Sequence, residues 1–264
     1  MAQKSLPMSL AYTVSGLLVG VLVGLTGVGG GSLMTPLLTL LFGFSPATAV
    51  GTDLAFASIT KGFGTLAHRA HGHVQWQVVR RLCLGSLPAA VAAILVLKSA
   101  GELHGQWLHA IRLTIGVSVL LTVLSLLFRK QMLAWLARNP RFQLEGRAQV
   151  IATIVVGAVI GVLVTVSSIG AGAVGATLIL LLYPHMKPAE VAGTDIAYAV
   201  PLTALAGLGH VWLGTVDWNL LLALLVGSIP GIWLGAQLSR ALPERLVRAA
   251  LATTLTLVAI KLVS

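Results

Sequence analysis

Long apolar runs separated by short polar intervals make up almost the whole chain. Runs of roughly the ~20 mostly apolar residues that a helix needs to cross a bilayer fall at about 8–28, 47–66, 78–97, 109–128, 149–168, 190–210, 219–238 and 246–262. Two shorter apolar pieces, 32–43 and 172–183, each follow a cluster of glycines. The pattern predicts an all-α polytopic membrane protein with about eight long transmembrane helices and two short segments. Each short segment forms a hairpin with the run before it or a thin crossing, its end meeting its neighbour at membrane depth.

The pattern occurs twice. Residues 20–53 read GVLVGLTGVGGGSLMTPLLTLLFGFSPATAVGTD, and residues 161–195 read GVLVTVSSIGAGAVGATLILLLYPHMKPAEVAGTD. The offset is 141 up to the glycine cluster and 142 after it. At 142, His68 pairs with His210, Trp76 with Trp218, and Gly85-Ser-Leu-Pro88 with Gly227-Ser-Ile-Pro230. Two related apolar halves broken by glycines near their starts predict a transporter built on a duplicated fold. The expected division is a first transmembrane repeat over 1–128, a basic linker over 129–147 and a second repeat over 148–264.

Composition supports this reading. Of 264 residues, 57% are hydrophobic and 9% charged, against roughly 25% charged in a soluble domain. Mean hydropathy is +0.96. So few charges cannot cover a globular surface, so lipid is the expected surrounding. The formal charge of +10 lies between the apolar runs as a topogenic signal rather than a nucleic-acid footprint. Arg69, Arg80 and Arg81 mark 67–81; Arg129, Lys130, Arg138, Arg141 and Arg147 mark 129–147; Arg240, Arg245 and Arg248 mark 239–248. These are expected on the cytoplasmic side. The counterpart of 67–81 is 211–218, whose one charge is Asp217. Opposite locations for equivalent loops imply that the halves are inverted, each with an odd number of crossings and with both termini outside. The start, MAQKSLP, has no cleavage signature, so the first segment is expected to stay in the membrane. The single cysteine, Cys83, excludes an internal disulfide and a Cys-based metal site, and no cofactor is expected.

Candidate chemistry sits at the repeated breaks. Glycine in a helix interior costs about 1 kcal/mol relative to alanine. Clusters such as Gly27–Gly31 and Ser167–Gly172 therefore unwind the chain and leave amides that must face protein or a wet cavity. A helix restarting at Ser32 or Ala173 offers an anion its free N–H groups and the positive end of its dipole. Gly29, Gly30, Gly31, Ser32, Ser168, Gly170 and Gly172 are thus candidate substrate contacts; close helix packing is the alternative. Gly-Thr-Asp recurs at 51–53 and 193–195, placing a carboxylate inside each of two apolar runs. Asp53 and Asp195 are candidate proton carriers, or N-terminal helix caps near Pro46 and Pro188. Thr52 and Thr194 either donate to an oxyanion or bond back to their own helices. Lys61, two turns after Asp53, either draws an anion inward, pairs with Asp195, or snorkels to the membrane edge. His68 and His210 suit proton relay or anchoring at helix ends. Trp76 and Trp218 read as interfacial anchors, and Pro88, Pro201 and Pro230 as kinks.

At these residues the chain resembles the TauE/SafE family, also called the sulfite exporter or TSUP family. The resemblance is carried by Gly27-Val-Gly-Gly-Gly-Ser-Leu-Met-Thr-Pro36, Ala49-Val-Gly-Thr-Asp-Leu54, Ile59-Thr-Lys61, Val191-Ala-Gly-Thr-Asp195, Gly209-His210, Val216-Asp-Trp218 and Gly227-Ser-Ile-Pro-Gly231. It covers about residues 8–262. It implies a multi-pass permease of the bacterial inner membrane for sulfur-containing or organic anions such as sulfite or sulfonates. The expected function is alternating-access transport of a small anion with protons as coupling ion. A passive anion channel is the alternative. An intramembrane aspartyl protease with Asp53 and Asp195 as its dyad, and a structural scaffold, are the other classes.

Overall fold

The computed structural model describes residues 5–26, 31–70, 72–101, 105–139, 143–238 and 253. Those residues form helices α1 (Ser5–Thr26), α2 (Gly31–Leu40), α3 (Pro46–Ala70), α4 (Trp76–Ser99), α5 (Gln106–Arg138), α6 (Gly146–Ser167), α7 (Ala173–Leu182), α8 (Pro188–Trp212) and α9 (Trp218–Leu238). Seven of the eight expected long runs correspond to α1, α3, α4, α5, α6, α8 and α9; the run at 246–262 lies outside the described residues. Among the described residues, five helices are long and apolar enough to cross a membrane: Trp76–Ser99, Gln106–Arg138, Gly146–Ser167, Pro188–Trp212 and Trp218–Gly235. The short helices α2 and α7 begin at the ends of the two glycine clusters.

The basic 129–147 stretch is helical over its first part. The 129–147 stretch is polar, yet α5 is 33 residues long and continues to Arg138, about 50 Å at 1.5 Å per residue. Residues 129–138 read RKQMLAWLAR, nearly all strong helix formers without glycine or proline. The helix stops at Asn139, whose φ of −126° and ψ of 71° leave the helical region. Pro140 follows, and a proline disfavours helical geometry in the residue before it.

Packing repeats as the sequence does. The most extensive helix contacts are α1 on α9 and α4 on α6, followed by α3 on α8. The first two are one seam made twice. A Cβ on Gly85 would run into the Ile154 carbonyl, and a Cβ on Gly227 into that of Thr13. These four residues correspond at the offsets of the sequence repeat. Each half therefore supplies a first helix to the fourth helix of the other, and bare glycine lets the backbones touch.

The third pair forms the centre. In α8, 67% of the apolar window is buried, against 33–39% in the other four spanning helices. The outer helices show the opposite face. Ile151, Val155, Val159 and Val162 on α6 are exposed, as are Leu222, Val226, Ile229 and Trp233 on α9. Their spacing of three and four residues draws an apolar stripe down each helix, the surface a lipid-embedded bundle presents.

Candidate functional site at the α3–α8 crossing

The Gly-Thr-Asp motif has a geometric explanation. Successive helical residues point about 100° apart, so the three face different neighbours. Gly51 meets the second repeat: an added Cβ would lie 2.7 Å from Thr215 Oγ1. Gly193 meets the first: an added Cβ would lie 2.6 Å from the His73 carbonyl oxygen. Thr52 Oγ1 accepts from the Asp217 amide at 3.1 Å, and Thr194 Oγ1 accepts from the Gln75 amide at 3.0 Å. Both threonines thus hold the start of the opposite half's fourth helix. The motif is a clasp made reciprocally, and the aspartate that follows is left to point inward.

Both carboxylates are buried, with Asp53 0% and Asp195 3% exposed; neither lies on an outer face. Nor do they cap their own helices. The Thr48 amide donates to Ser45 Oγ at the start of α3, and the Lys187 amide donates to Glu190 Oε2 at the start of α8. Each aspartate instead meets the first turns of its own half's short helix. Thr35 Oγ1 in α2 donates to Asp53 Oδ2 at 2.6 Å. The Gly172 amide lies against Asp195, and a Cβ at Gly175 would collide with Asp195 Oδ1. The helix N-termini expected to attract an anion therefore face carboxylates of the chain itself, as the dipole favours.

The second glycine break threads between them. Ser168, at φ 60°, ends α6 by donating its amide to Val164 O at 2.7 Å. Gly170 and Gly172 follow at φ 135° and 147°, values that glycine alone adopts readily. The Ser168 hydroxyl lies beside Asp53 without a hydrogen bond of good geometry. Lys61 Nζ donates to Ala171 O at 2.9 Å, and Lys61 is within electrostatic range of both Asp53 and Asp195. Only 6% exposed, Lys61 does not snorkel. The Ala171 carbonyl, freed by the break, holds its ammonium inside.

The buried polar atoms left without a hydrogen bond gather around these groups. Among the described residues they are Asp53 Oδ1, Ser86 Oγ, Ser168 Oγ, Asp195 Oδ1 and Tyr198 OH. Ser86 on α4 lies beside Tyr198, which is within electrostatic range of Asp195. An unsatisfied buried polar group costs about 1–3 kcal/mol, and these five single out the crossing as the candidate site.

Other expected residues lie elsewhere. His210 is buried but belongs to the clasp: Nε2 meets Thr165 O at 2.9 Å and Nδ1 meets Thr215 Oγ1 at 2.8 Å. A carbonyl accepts, so Nε2 carries a proton, and Nδ1 shares a hydrogen bond with the Thr215 hydroxyl. His68 lies within α3, but its side chain is outside the described part, as is that of Ser32. Gly31 begins α2, and Gly29 and Gly30 are outside the described residues. Sequence reasoning missed Thr35, Ser86 and Tyr198. Tyr198 carried a signal: its repeat counterpart is Phe56, a change from apolar to polar at one aligned position.

The family model for sulfite exporter TauE/SafE matches residues 12–262. A Bacillus subtilis (strain 168) protein named "Probable membrane transporter protein YjnA" is 38% identical over 259 residues, covering 97% of this chain and all of the relative. A second from that organism, "Probable membrane transporter protein YdhB", is 29% identical over 90% of this chain and 93% of its own length. A Xylella fastidiosa (strain Temecula1 / ATCC 700964) protein named "Probable membrane transporter protein" is 28% identical over 88% of this chain and 85% of its own. No solved structure matches the chain.

Proposed function

The chain belongs to the sulfite exporter TauE/SafE family of membrane proteins, and from that premise we propose that it carries a small monoanion, a sulfur oxyanion or organosulfonate, together with one proton. Two inverted repeats alternate access to a site between α3 and α8. The observation that carries the reading is Lys61, bound to the Ala171 carbonyl at 2.9 Å within range of a buried carboxylate from each half.

Charge balance supplies the coupling. A carboxylate at the bilayer centre costs about 2.5–3.5 kcal/mol on insertion scales, and an uncompensated buried charge is worse. The empty site is neutral with Lys61 charged, one aspartate ionised and the other protonated. An arriving monoanion leaves the site neutral if the ionised aspartate takes up a proton. Protonation also withdraws the carboxylate from the helix end it occupies, opening the α2 or α7 N-terminus to the substrate. Thr35, Ser168 and Tyr198 supply hydroxyls there, and the Gly172 amide a backbone donor. Thr52 and Thr194 keep the halves in register.

The test is uptake of sulfite or methanesulfonate into proteoliposomes that hold a pH-sensitive dye. An imposed proton gradient should drive anion accumulation, and Asp53→Asn and Asp195→Asn should each abolish that accumulation. Accumulation unchanged in both variants overturns the coupling. Ohmic single-channel currents would identify a pore instead.

A further inference from the structure

An open cleft lies away from this site, between α5, α6 and α7. It encloses about 610 Å³ and is lined almost entirely by apolar side chains, among them Phe128, Met132, Trp135, Leu144, Val156 and Leu178. We infer that this groove binds one anionic glycerophospholipid, an acyl chain in the cleft and its phosphate on Arg138 and Arg147.

Three observations support this occupant. First, depth: Val156 is ten residues into α6 from Gly146, about 15 Å, half of a hydrocarbon core ~30 Å thick. The cleft is therefore about one leaflet deep, as an acyl chain requires. Second, register: Phe128, Gln131, Met132 and Trp135 line it from one face of α5, and Arg138 is the next residue on that face at helical spacing. Arg147 lies in the first turn of α6, three residues beyond the lining Leu144. Both arginines are exposed. Third, charge: Arg138 ends α5 and Arg147 lies in the first turn of α6 at the mouth, with Glu145 as the acid beside them in the chain. Cationic clusters beside apolar helices select anionic headgroups, and guanidinium binds phosphate oxygens in pairs.

The extension of α5 makes the groove. Its last ten residues, 129–138, carry the helix along the cleft against α6 and α7. The turn behind it is tied back by Gln143 Nε2 donating to Leu136 O at 3.3 Å. Gln149 Nε2 donates to Leu182 O at 2.8 Å, closing the α6–α7 side.

Trp135 provides the probe. The full chain is reconstituted in phosphatidylcholine vesicles containing a minor, equal fraction of brominated phosphatidylglycerol or brominated phosphatidylcholine, and quenching is measured with and without Trp135→Phe. The Trp135 component should be quenched preferentially by phosphatidylglycerol, with an affinity preference of roughly 30-fold at low salt from two arginines. The preference should collapse in Arg138→Gln/Arg147→Gln. Equal quenching by both lipids overturns the proposal, as does a preference that survives the double substitution. Should that variant fail to fold, the wild-type chain decides. A preference that weakens with added KCl, as screening demands, upholds the site; a salt-independent one overturns it.

Discussion

The two carboxylates occupy corresponding places and live in different surroundings. Asp53 receives a hydroxyl hydrogen bond from Thr35. Asp195 rests on bare backbone at Gly172 and Gly175. The counterpart of Lys61 is Thr203, which donates to Ala199 O in its own helix at 2.8 Å. The counterpart of Tyr198 is Phe56, and that of Ser168 is Gly27. Duplication supplied a symmetric scaffold, seen in the matching clasps at Thr52 and Thr194. At the centre the halves differ, and Lys61 lies within electrostatic range of both acids. The frame is made of matching pairs, while the groups at its centre are not matched.

The comparison can be broken most forcefully at Lys61. Lys61→Gln leaves the carboxylates without their cation, and removing one partner of a buried charge pair costs about 3–5 kcal/mol. A large drop in thermal stability in detergent is expected, substantially recovered by adding Asp195→Asn or Asp53→Asn. Whichever rescue is larger identifies the acid that Lys61 chiefly balances; no rescue by either would show that Lys61 acts independently of them.

Thr35→Val tests the difference between the two acids. A hydrogen bond to a charged group contributes about 1.5–3 kcal/mol, so a loss near 2 kcal/mol is expected if Asp53 is ionised, smaller if it is protonated. Repeating the melt from pH 5 to pH 8 separates the cases: the penalty should grow as pH rises, because the carboxylate gains the charge the hydroxyl serves. A penalty flat across that range would mean that Asp53 does not titrate.

The clasp makes a symmetric prediction. Thr52→Val and Thr194→Val each leave one backbone amide without its acceptor, at about 1 kcal/mol each. Equal melting shifts would confirm that the halves share the load; a several-fold inequality would confine the symmetry to geometry. The smallest effect belongs to Tyr198→Phe, which makes the second half like the first. Deleting a buried hydroxyl without a partner should raise stability, by about 1 kcal/mol or less, while altering the rate of sulfite flux. An unchanged rate would remove Tyr198 from the site.

Much of this was legible in the chain. The apolar runs are long enough that helix formation is the way to satisfy their backbones in lipid, which is why the expected segments match α1, α3, α4, α6, α8 and α9 closely. The same argument located the short helices, since clustered glycine ends a helix wherever it occurs. The apolar run at 109–128 marks only part of α5, because residues 129–138 carry charge yet are mostly good helix formers and the helix ends at Arg138. Site residues were less legible. Asp53 and Asp195 stood out because charge inside an apolar run is expensive. Thr35 and Ser86 did not, because a hydroxyl in a helix can always bond to its own turn.

Sequence alone determined the membrane-embedded class, the duplication, the helix breaks and the presence of two buried acids, because each follows from local composition and spacing. Tertiary structure decided the pairings. Lys61 finds Ala171 across 110 residues, Thr194 finds Gln75 across 119 and Thr52 finds Asp217 across 165. A hydroxyl or ammonium group carries the capacity to bond but no address. The partner is whichever group the crossing of α3 and α8 brings within 3 Å, and that crossing is set by the packing of both halves together.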